Sequence, residues 1–256
     1  MSAFDAFARF YNADYGAFAD DVPFYRAMAR RTGGPILELM CGSGRLLEPL
    51  ARDGHHVTGV DVSAALLGVA RHKLAIAGLL NQAELVEADV RQAVPPGPFA
   101  MAIVGLNSFM HLETTDDQLA VLSHVHESLR PGGVLVLDLY NPDPRELIRH
   151  NGEMVLDKTF SFGDGGQVQK FVVQSADLAA QTSHVVFMYD EIDADGSVRR
   201  TTLPFSMRWI YRYEIEHLLA RSGFVIEAVY GSYDLDEFGS PSELMLTVAT
   251  RDDEES

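Results

Sequence analysis

Two glycines and one acid have the residue types and spacing to hold a ligand. Gly42 and Gly44 directly follow an apolar run in Ile36-Leu37-Glu38-Leu39-Met40-Cys41-Gly42-Ser43-Gly44, and Asp61 comes about 20 residues later in Val60-Asp61-Val62-Ser63. A glycine has no Cβ, so backbone in such a turn can approach a ligand closely. A helix starting there leaves amide donors that suit an anionic group, such as the carboxylate of an amino-acid ligand. An acid at the end of the next strand can accept both hydroxyls of a ribose, and Ser63 would cap the following helix. Glu87-Ala88-Asp89-Val90 then offers a polar side chain and a backbone amide to the edge of an adenine. Asp89 taken alone reads more readily as a turn or helix cap, and a glycine pair alone is common. The specific feature is the three together at successive strand ends.

Further along, Gly105-Leu106-Asn107-Ser108-Phe109-Met110-His111-Leu112 places Asn107 and His111 after a fourth apolar run, where open α/β sheets bind ligands. Histidine's ordinary pKa of about 6.5 suits a proton acceptor; the structural alternative is a hydrogen bond to backbone at a helix start. The N-terminal segment is rich in aromatics, with Tyr11, Tyr15, Phe18, Phe24 and Tyr25. These read either as core or as a lid that excludes water. Arg208, Trp209, Tyr211 and Arg212 cluster before the last helical stretch and read as substrate contacts or as ordinary packing.

The remaining chemistry is bounded by composition. The 256 residues carry 37 acidic against 20 basic side chains, a formal net charge of -17. With only short basic pairs such as Arg30-Arg31, a nucleic-acid partner is disfavoured, because phosphate neutralisation supplies most of that affinity. One cysteine, Cys41, excludes an intramolecular disulfide and a cysteine-based metal site, and no metal is expected. No apolar run approaches the roughly 20 residues needed to span a bilayer, and the acidic, aromatic start does not read as a secretory signal. A cytoplasmic protein is expected, and a homo-oligomer stays open.

The elements that must position these residues alternate in the manner of a parallel sheet covered by helices on both faces. Strands are predicted over residues 35–39, 57–60, 83–87, 99–106 and 134–139, with a helix over 116–129 ended by Pro131-Gly132-Gly133. Residues 151–210 alternate differently. Gly163-Asp164-Gly165-Gly166 and Asp193-Ala194-Asp195-Gly196 break apolar-alternating runs, which predicts antiparallel hairpins. A helix over 213–222 and strands over 225–231 and 244–250 close the chain. The predicted organisation is an N-terminal lid (1–34), a doubly wound α/β domain (35–150 and 211–251) and a small antiparallel β insert (151–210).

These motifs resemble those of the class I S-adenosylmethionine-dependent methyltransferases, over residues 36–139 and again over 213–250. The resemblance implies a mainly parallel seven-stranded, Rossmann-like sheet, S-adenosylmethionine as cofactor with S-adenosylhomocysteine as product, and a small-molecule methyl acceptor. It places Glu38 at the methionine end, with Met40, Cys41, Gly42, Ser43 and Gly44 in the cofactor turn. Asp61 and Val62 match the ribose side, and Asp89 and Val90 the adenine side. Leu106, Tyr15 and Tyr25 complete the implied cofactor shell. The family's E-x-G-x-G-x-G has Met40 at its first glycine, a side chain that narrows the space beside the cofactor. Residues 107–112 resemble N-S-F-x-H-L of the glycine N-methyltransferases, and His111 parallels a histidine of antibiotic sugar N-methyltransferases. That implies Asn107 as a substrate and catalytic residue, His111 at the cofactor or as a proton acceptor, and Tyr11 as a catalytic lid residue. Tyr140 stands where glycine N-methyltransferases grip a carboxylate with arginine, so glycine is not the expected acceptor. Tyr140, Arg208 and Trp209 are the further substrate candidates. The implied reaction is methylation of an amine or hydroxyl, N-methylation slightly favoured. The alternatives are a non-catalytic paralogue that binds the cofactor, and a nicotinamide-dependent oxidoreductase. Against the second, Leu47 occupies the third-glycine position of the dinucleotide fingerprint.

Overall fold

The computed structural model describes residues 4–5, 7–16, 18–162, 166–193 and 195–252. In chain order the strands are β1 (Ile36–Leu39), β2 (Val57–Asp61), β3 (Ala83–Glu87), β4 (Phe99–Val104), β5 (Leu129–Tyr140), β6 (Met154–Phe162), β7 (Gly166–Asp177), β8 (Thr182–Ile192), β9 (Val198–Arg208), β10 (Phe224–Tyr230) and β11 (Leu244–Arg251). Helices are α1 (Ala8–Tyr15), α2 (Val22–Thr32), α3 (Leu47–Arg52), α4 (Ala64–Ile76), α5 (Thr115–Ser128), α6 (Pro144–Arg149) and α7 (Arg212–Arg221).

Seven strands form one sheet in the order β10-β11-β5-β4-β1-β2-β3. β1 to β5 run parallel, and β11 is antiparallel to both β5 and β10. Alternation of side chains along each strand serves two cores. Leu37, Leu39, Ala102, Val104, Leu135 and Leu137 face α5 and α7. Ile36, Met101, Ile103, Val134 and Val136 face α2 and α3. The sequence is reversed between β1 and β4, a switch point that opens a crevice at the strands' C-terminal ends.

The other four strands make a separate antiparallel sheet, β6-β7-β8-β9. Phe7, just before α1, and Phe10 within it pack on that sheet against Val168, Tyr189 and Leu203, with the Phe10 and Tyr189 rings stacked at 4.6 Å. A buried polar knot ties helix and sheet together. Asp14 accepts from the Tyr189 hydroxyl at 2.7 Å, pairs with Lys170 at 3.0 Å and also pairs with Lys158. Of the segment expected to form a lid, α1 with Phe4 and Phe7 lies over the insert; α2 buries Phe24, Tyr25, Met28 and Ala29 in the main core.

The ends of elements differ from expectation for local reasons. β4 stops at Val104, two residues early, because Leu106 and Asn107 take left-handed backbone (φ 47° and 61°). Helix α5 ends at Ser128, before the Pro-Gly-Gly, since Leu129 is already extended and pairs with Phe99. β5 is longer for the same reason. The β7–β8 connection carries no Asp-Gly cue; Gln181 supplies its left-handed residue at φ 56°. Residues 163–165 and 194, in the two turns expected from their Asp-Gly pattern, lie outside the described residues.

Candidate functional site

The C-terminal ends of β3, β2, β1, β4 and β5 stand side by side, and a cavity of about 500 Å³ runs along them. After β3 it meets Asp89 and Val90; after β2, Asp61 and Val62; after β1, Met40 and Gly42. After β4 it meets Leu106, Asn107 and His111, and at the end of β5, Tyr140. Tyr11 and Tyr15 of α1 close it from above. Twelve residues singled out from the sequence thus converge on one space.

The glycine turn and Asp61 are joined to each other. The Gly42 amide donates to Asp61 Oδ2 at 2.8 Å, and the Ser63 amide donates to Oδ1 at 2.8 Å. Burial raises the Asp61 pKa while these amide donors oppose the rise, so each oxygen is oriented with a lone pair to spare. Gly42 is left-handed at φ 53°, and a Cβ there would stand 3.3 Å from the Tyr11 hydroxyl. Gly44, also left-handed, sits so close to α4 that a Cβ would reach 2.9 Å from that of Ala70. No helix starts at the glycines. Helix α3 begins at Leu47 and has six residues, and the Gly44 amide bonds the Cys41 carbonyl. The expected open helix N-terminus is therefore replaced by a turn whose Gly42 donor serves Asp61. Ser63 does cap α4, accepting from the Leu66 amide at 3.2 Å.

The wall after β4 is held by a buried acid the sequence reading did not single out. Asp138 Oδ2 accepts from the Leu106 amide (3.2 Å), the Tyr233 hydroxyl (2.8 Å) and the Tyr25 hydroxyl (3.3 Å). Asn107 Oδ1 accepts from the Tyr140 amide at 2.6 Å. Two consecutive left-handed non-glycine residues carry a local cost, and these bonds keep them in place. His111 Nδ1 lies 3.3 Å from the Ser206 carbonyl. A carbonyl only accepts, so Nδ1 carries the hydrogen and Nε2 is left as an acceptor. Burial lowers the His111 pKa, which keeps the ring neutral.

Seven expected site residues stand outside the cavity. Tyr25 is fully buried beneath it, on Asp138. Cys41 is buried toward Gly59, and Ser43 is covered, bonded by Lys73 of α4 at 3.1 Å. Gly44 packs on α4. Glu38 is buried behind the turn, its pKa pushed up to about 8 by burial against the pull of Arg45. Arg208 turns to the other side of β9, paired with Glu214 at 2.6 Å and reaching Thr115. Trp209 is 1% exposed in the core. A basic side chain near an acidic helix start satisfies that start before any ligand, and this removes Arg208 from the cavity.

The methyltransferase-domain family matches residues 36–133, from β1 to the start of β5. The sheet order, with antiparallel β11 between β5 and β10, is the arrangement expected of the class I enzymes. This chain carries the methyltransferase domain of a class I S-adenosylmethionine-dependent enzyme. It is 28% identical over 219 residues to the cypemycin N-terminal methyltransferase of a Streptomyces species, covering 86% of this chain and 84% of that protein. In fold it is similar to the CcbJ methyltransferase from Streptomyces caelestis, with a TM-score of 0.79 at 20% identity over 98% of this chain and 100% of that one. It is also similar to CalS10, an amino pentose methyltransferase from Micromonospora echinaspora solved with S-adenosylmethionine bound, with a TM-score of 0.72 at 24% identity over 94% and 96%.

S-adenosylmethionine is the cofactor of this methyltransferase, and the residues present fit it. Glu38 Oε2 is a buried carboxyl oxygen with no hydrogen-bond partner among the described residues, an orphaned acceptor that a ligand ammonium would satisfy. Asp61 is a buried acid with its amide partners on the cavity rim, and Val62, Val90 and Leu112 give the same end apolar walls. Among the described residues no cluster of His, Cys, Asp or Glu is arranged to hold a metal, and no helix is long and apolar enough to cross a membrane. The methyltransferase's remaining wall was not legible in advance: Phe4, Phe7, Phe187, Leu203, Phe205 and Met207 also line the cavity. The alternation in β8 and β9 contains these rings, but only the pairing register, Val185 with Phe205 and Phe187 with Leu203, shows that they meet.

Proposed function

We propose that this methyltransferase methylates an amine or hydroxyl of a small molecule, N-methylation being favoured. The observation that carries the proposal is one continuous cavity joining Asp61 to His111 under an aromatic roof. The relative named as the cypemycin N-terminal methyltransferase, whose target is a chain's N-terminus, supports nitrogen as the target. Asp61 binds the ribose hydroxyls, with Val62 beside them. Asp89 and Val90 meet the adenine edge, and Glu38 neutralises the ammonium end behind the turn of Met40, Cys41, Gly42, Ser43 and Gly44. Leu106 flanks the reacting end. Tyr25 acts as a positioning residue, because its hydroxyl on Asp138 steadies Leu106. Bound S-adenosylmethionine supplies a methyl group on a cationic sulfur that becomes neutral on transfer.

The chain's own contribution is alignment and exclusion of water. Tyr11 and Tyr15 cover the reacting end, and their buried hydroxyls stay protonated, burial raising both pKa values. Asn107 and Tyr140 fix the acceptor's polar edge. His111 Nε2 takes the proton of a hydroxyl acceptor, whereas a neutral amine attacks without a base. The seven-stranded part binds the cofactor, and α1 with residues 151–210 forms the roof over the acceptor.

The test is calorimetry with S-adenosylhomocysteine, followed by methyl incorporation into panels of amines and hydroxyl compounds by the wild type and His111→Ala. The expected result is saturable binding and turnover of amines. In His111→Ala, hydroxyl acceptors lose about 10²–10⁴-fold and amines less than about tenfold. Absence of binding heat from folded protein overturns the proposal.

A further inference from the structure

The two ends of the cavity differ in charge. Among the described residues, every charged side chain on its wall, Asp61, Asp89 and Arg91, lies at or just after the end of β2 or β3, and Arg91 is already bidentate on Asp89 at 2.6 and 2.9 Å. The other end, beyond β4, is a nest of rings. Phe4 meets His111 edge-on at 5.5 Å, Phe205 lies 5.4 Å from His111, and Phe187 is T-shaped to Phe205 at 4.8 Å. Its polar groups are neutral: His111, Asn107, Ser108, Tyr15 and Tyr140.

The nearest cations do not serve that end. Arg208 is spent on Glu214. Lys170, 3% exposed, is not on the cavity wall; its amino group is balanced by Asp14 and Asp157 and donates to the Tyr15 hydroxyl at 3.3 Å. An anionic acceptor would lose its hydration with no donor pair in return, a cost of several kcal/mol for an unpaired buried charge. Among the described residues, a cationic acceptor meets no carboxylate there. It also meets a ring already engaged, since Lys170 Nζ stands 4.0 Å over the Phe187 centroid and draws on the quadrupole a second cation would need. What remains favourable is flat, uncharged, apolar area laid against ring edges.

We infer that the acceptor end takes an uncharged planar molecule, an aromatic ring bearing its hydroxyl or amino group toward His111, held by Phe4, Phe187 and Phe205. This deepens the proposed function and rests on it for the identity of the two ends. A cavity of about 500 Å³ shared by cofactor and acceptor, when single-ligand pockets span roughly 300–1,000 Å³, restricts the acceptor to one or two rings.

Three probes of the same shape test the inference: 2-naphthol, 2-naphthoate and 2-(aminomethyl)naphthalene, which are neutral, anionic and cationic at pH 7. Each is titrated by calorimetry into the full chain, with and without saturating S-adenosylhomocysteine. Expected is binding of 2-naphthol at least about tenfold tighter than either charged probe, a gap of one decade per 1.4 kcal/mol. Phe187→Leu and Phe205→Leu, which keep apolar volume and lose the ring, weaken 2-naphthol by roughly 3- to 10-fold and leave S-adenosylhomocysteine affinity unchanged. A charged probe binding as tightly as 2-naphthol, or no probe binding, overturns the inference. S-adenosylhomocysteine binding separates the two readings. Its presence with a failed probe series sinks only the aromatic acceptor, and its absence sinks the proposed function as well.

Discussion

The floor and the roof of the cavity are built by different physics. The floor is five parallel strand ends, where each side chain is placed by the strand immediately before it and held by backbone amides, as Asp61 is by Gly42 and Ser63. The roof is α1 laid on the four-stranded sheet, and its contacts join residues far apart in sequence: Tyr189 to Asp14, and Phe4 to Phe205 at 6.5 Å. Hydrogen-bonded backbone ends fix the floor with few alternatives. The roof depends on one buried ionic knot and on ring packing, so it can open while the floor stays intact. Under the proposed function, the difference separates a part that selects the cofactor from a part free to vary with the acceptor.

The largest expected effect comes from cutting the knot. In Asp14→Ala, Lys170 stays 3% exposed with only Asp157 as counter-ion, and the Tyr189 hydroxyl loses its acceptor. Breaking a buried pair by removing one partner costs about 3–5 kcal/mol. Hydrogen exchange should show faster exchange over α1 and the adjoining β7 and β8, with β1 and β4 unchanged. Equal acceleration in both sheets would mean that floor and roof unfold as one unit.

Asp61→Ala attacks the floor instead. A hydrogen bond to a charged group is worth about 1.5–3 kcal/mol, and loss of the carboxylate should weaken S-adenosylhomocysteine about 100-fold by calorimetry. Acceptor-probe binding at the roof should change little. Asp61→Asn keeps one carbonyl oxygen for a backbone amide and separates loss of the turn from loss of the ligand contact. Unchanged affinity in both variants would leave the floor without its proposed ribose partner.

This asymmetry explains what was legible in the sequence. Gly42, Asp61 and Asp89 could be found because each follows an apolar run, and the ends of parallel strands converge wherever such runs alternate with helices. Leu106 and Asn107 were placed at the right strand, yet their left-handed backbone was invisible, since neither is a glycine. Asp138, inside β5, was not singled out, because its partners Tyr25 and Tyr233 lie 113 and 95 residues away. Arg208 was misplaced for a similar reason. Its position before a helix was visible, but Glu214 in the first turn of α7 takes its charge. The ring nest was the least legible part, since it needs the pairing of β8 with β9 and the docking of α1.

A smaller, pH-dependent effect belongs to Glu38. With its pKa pushed up to about 8, the folded protein at neutral pH holds a proton that the unfolded chain has released. Native stability therefore falls as pH rises from the ordinary carboxyl range to about 8. A ligand ammonium prefers the ionised acid, so binding expels that proton. Affinity for S-adenosylhomocysteine should rise between pH 6 and 8, by at most about tenfold per unit, with heats that depend on the buffer's ionisation enthalpy. Glu38→Gln removes the slope. A flat wild-type profile would show that Glu38 does not meet the ammonium, while leaving the Asp61 contact standing.

The smallest effect isolates backbone strain in the floor. Met40 is left-handed at φ 54°, a conformation costing a side-chain-bearing residue roughly 1–2 kcal/mol. Met40→Ala and Met40→Gly remove the same packing and open the cavity alike, but only glycine relieves the conformation. Glycine's greater freedom in the unfolded chain offsets about 0.4–1 kcal/mol of that relief. The glycine variant should therefore be more stable than the alanine variant by up to about 1 kcal/mol in urea unfolding, the reverse of their order at an ordinary extended position. If alanine proves the more stable, the turn relaxes without strain, and its shape is set by the Gly42–Asp61 bond alone.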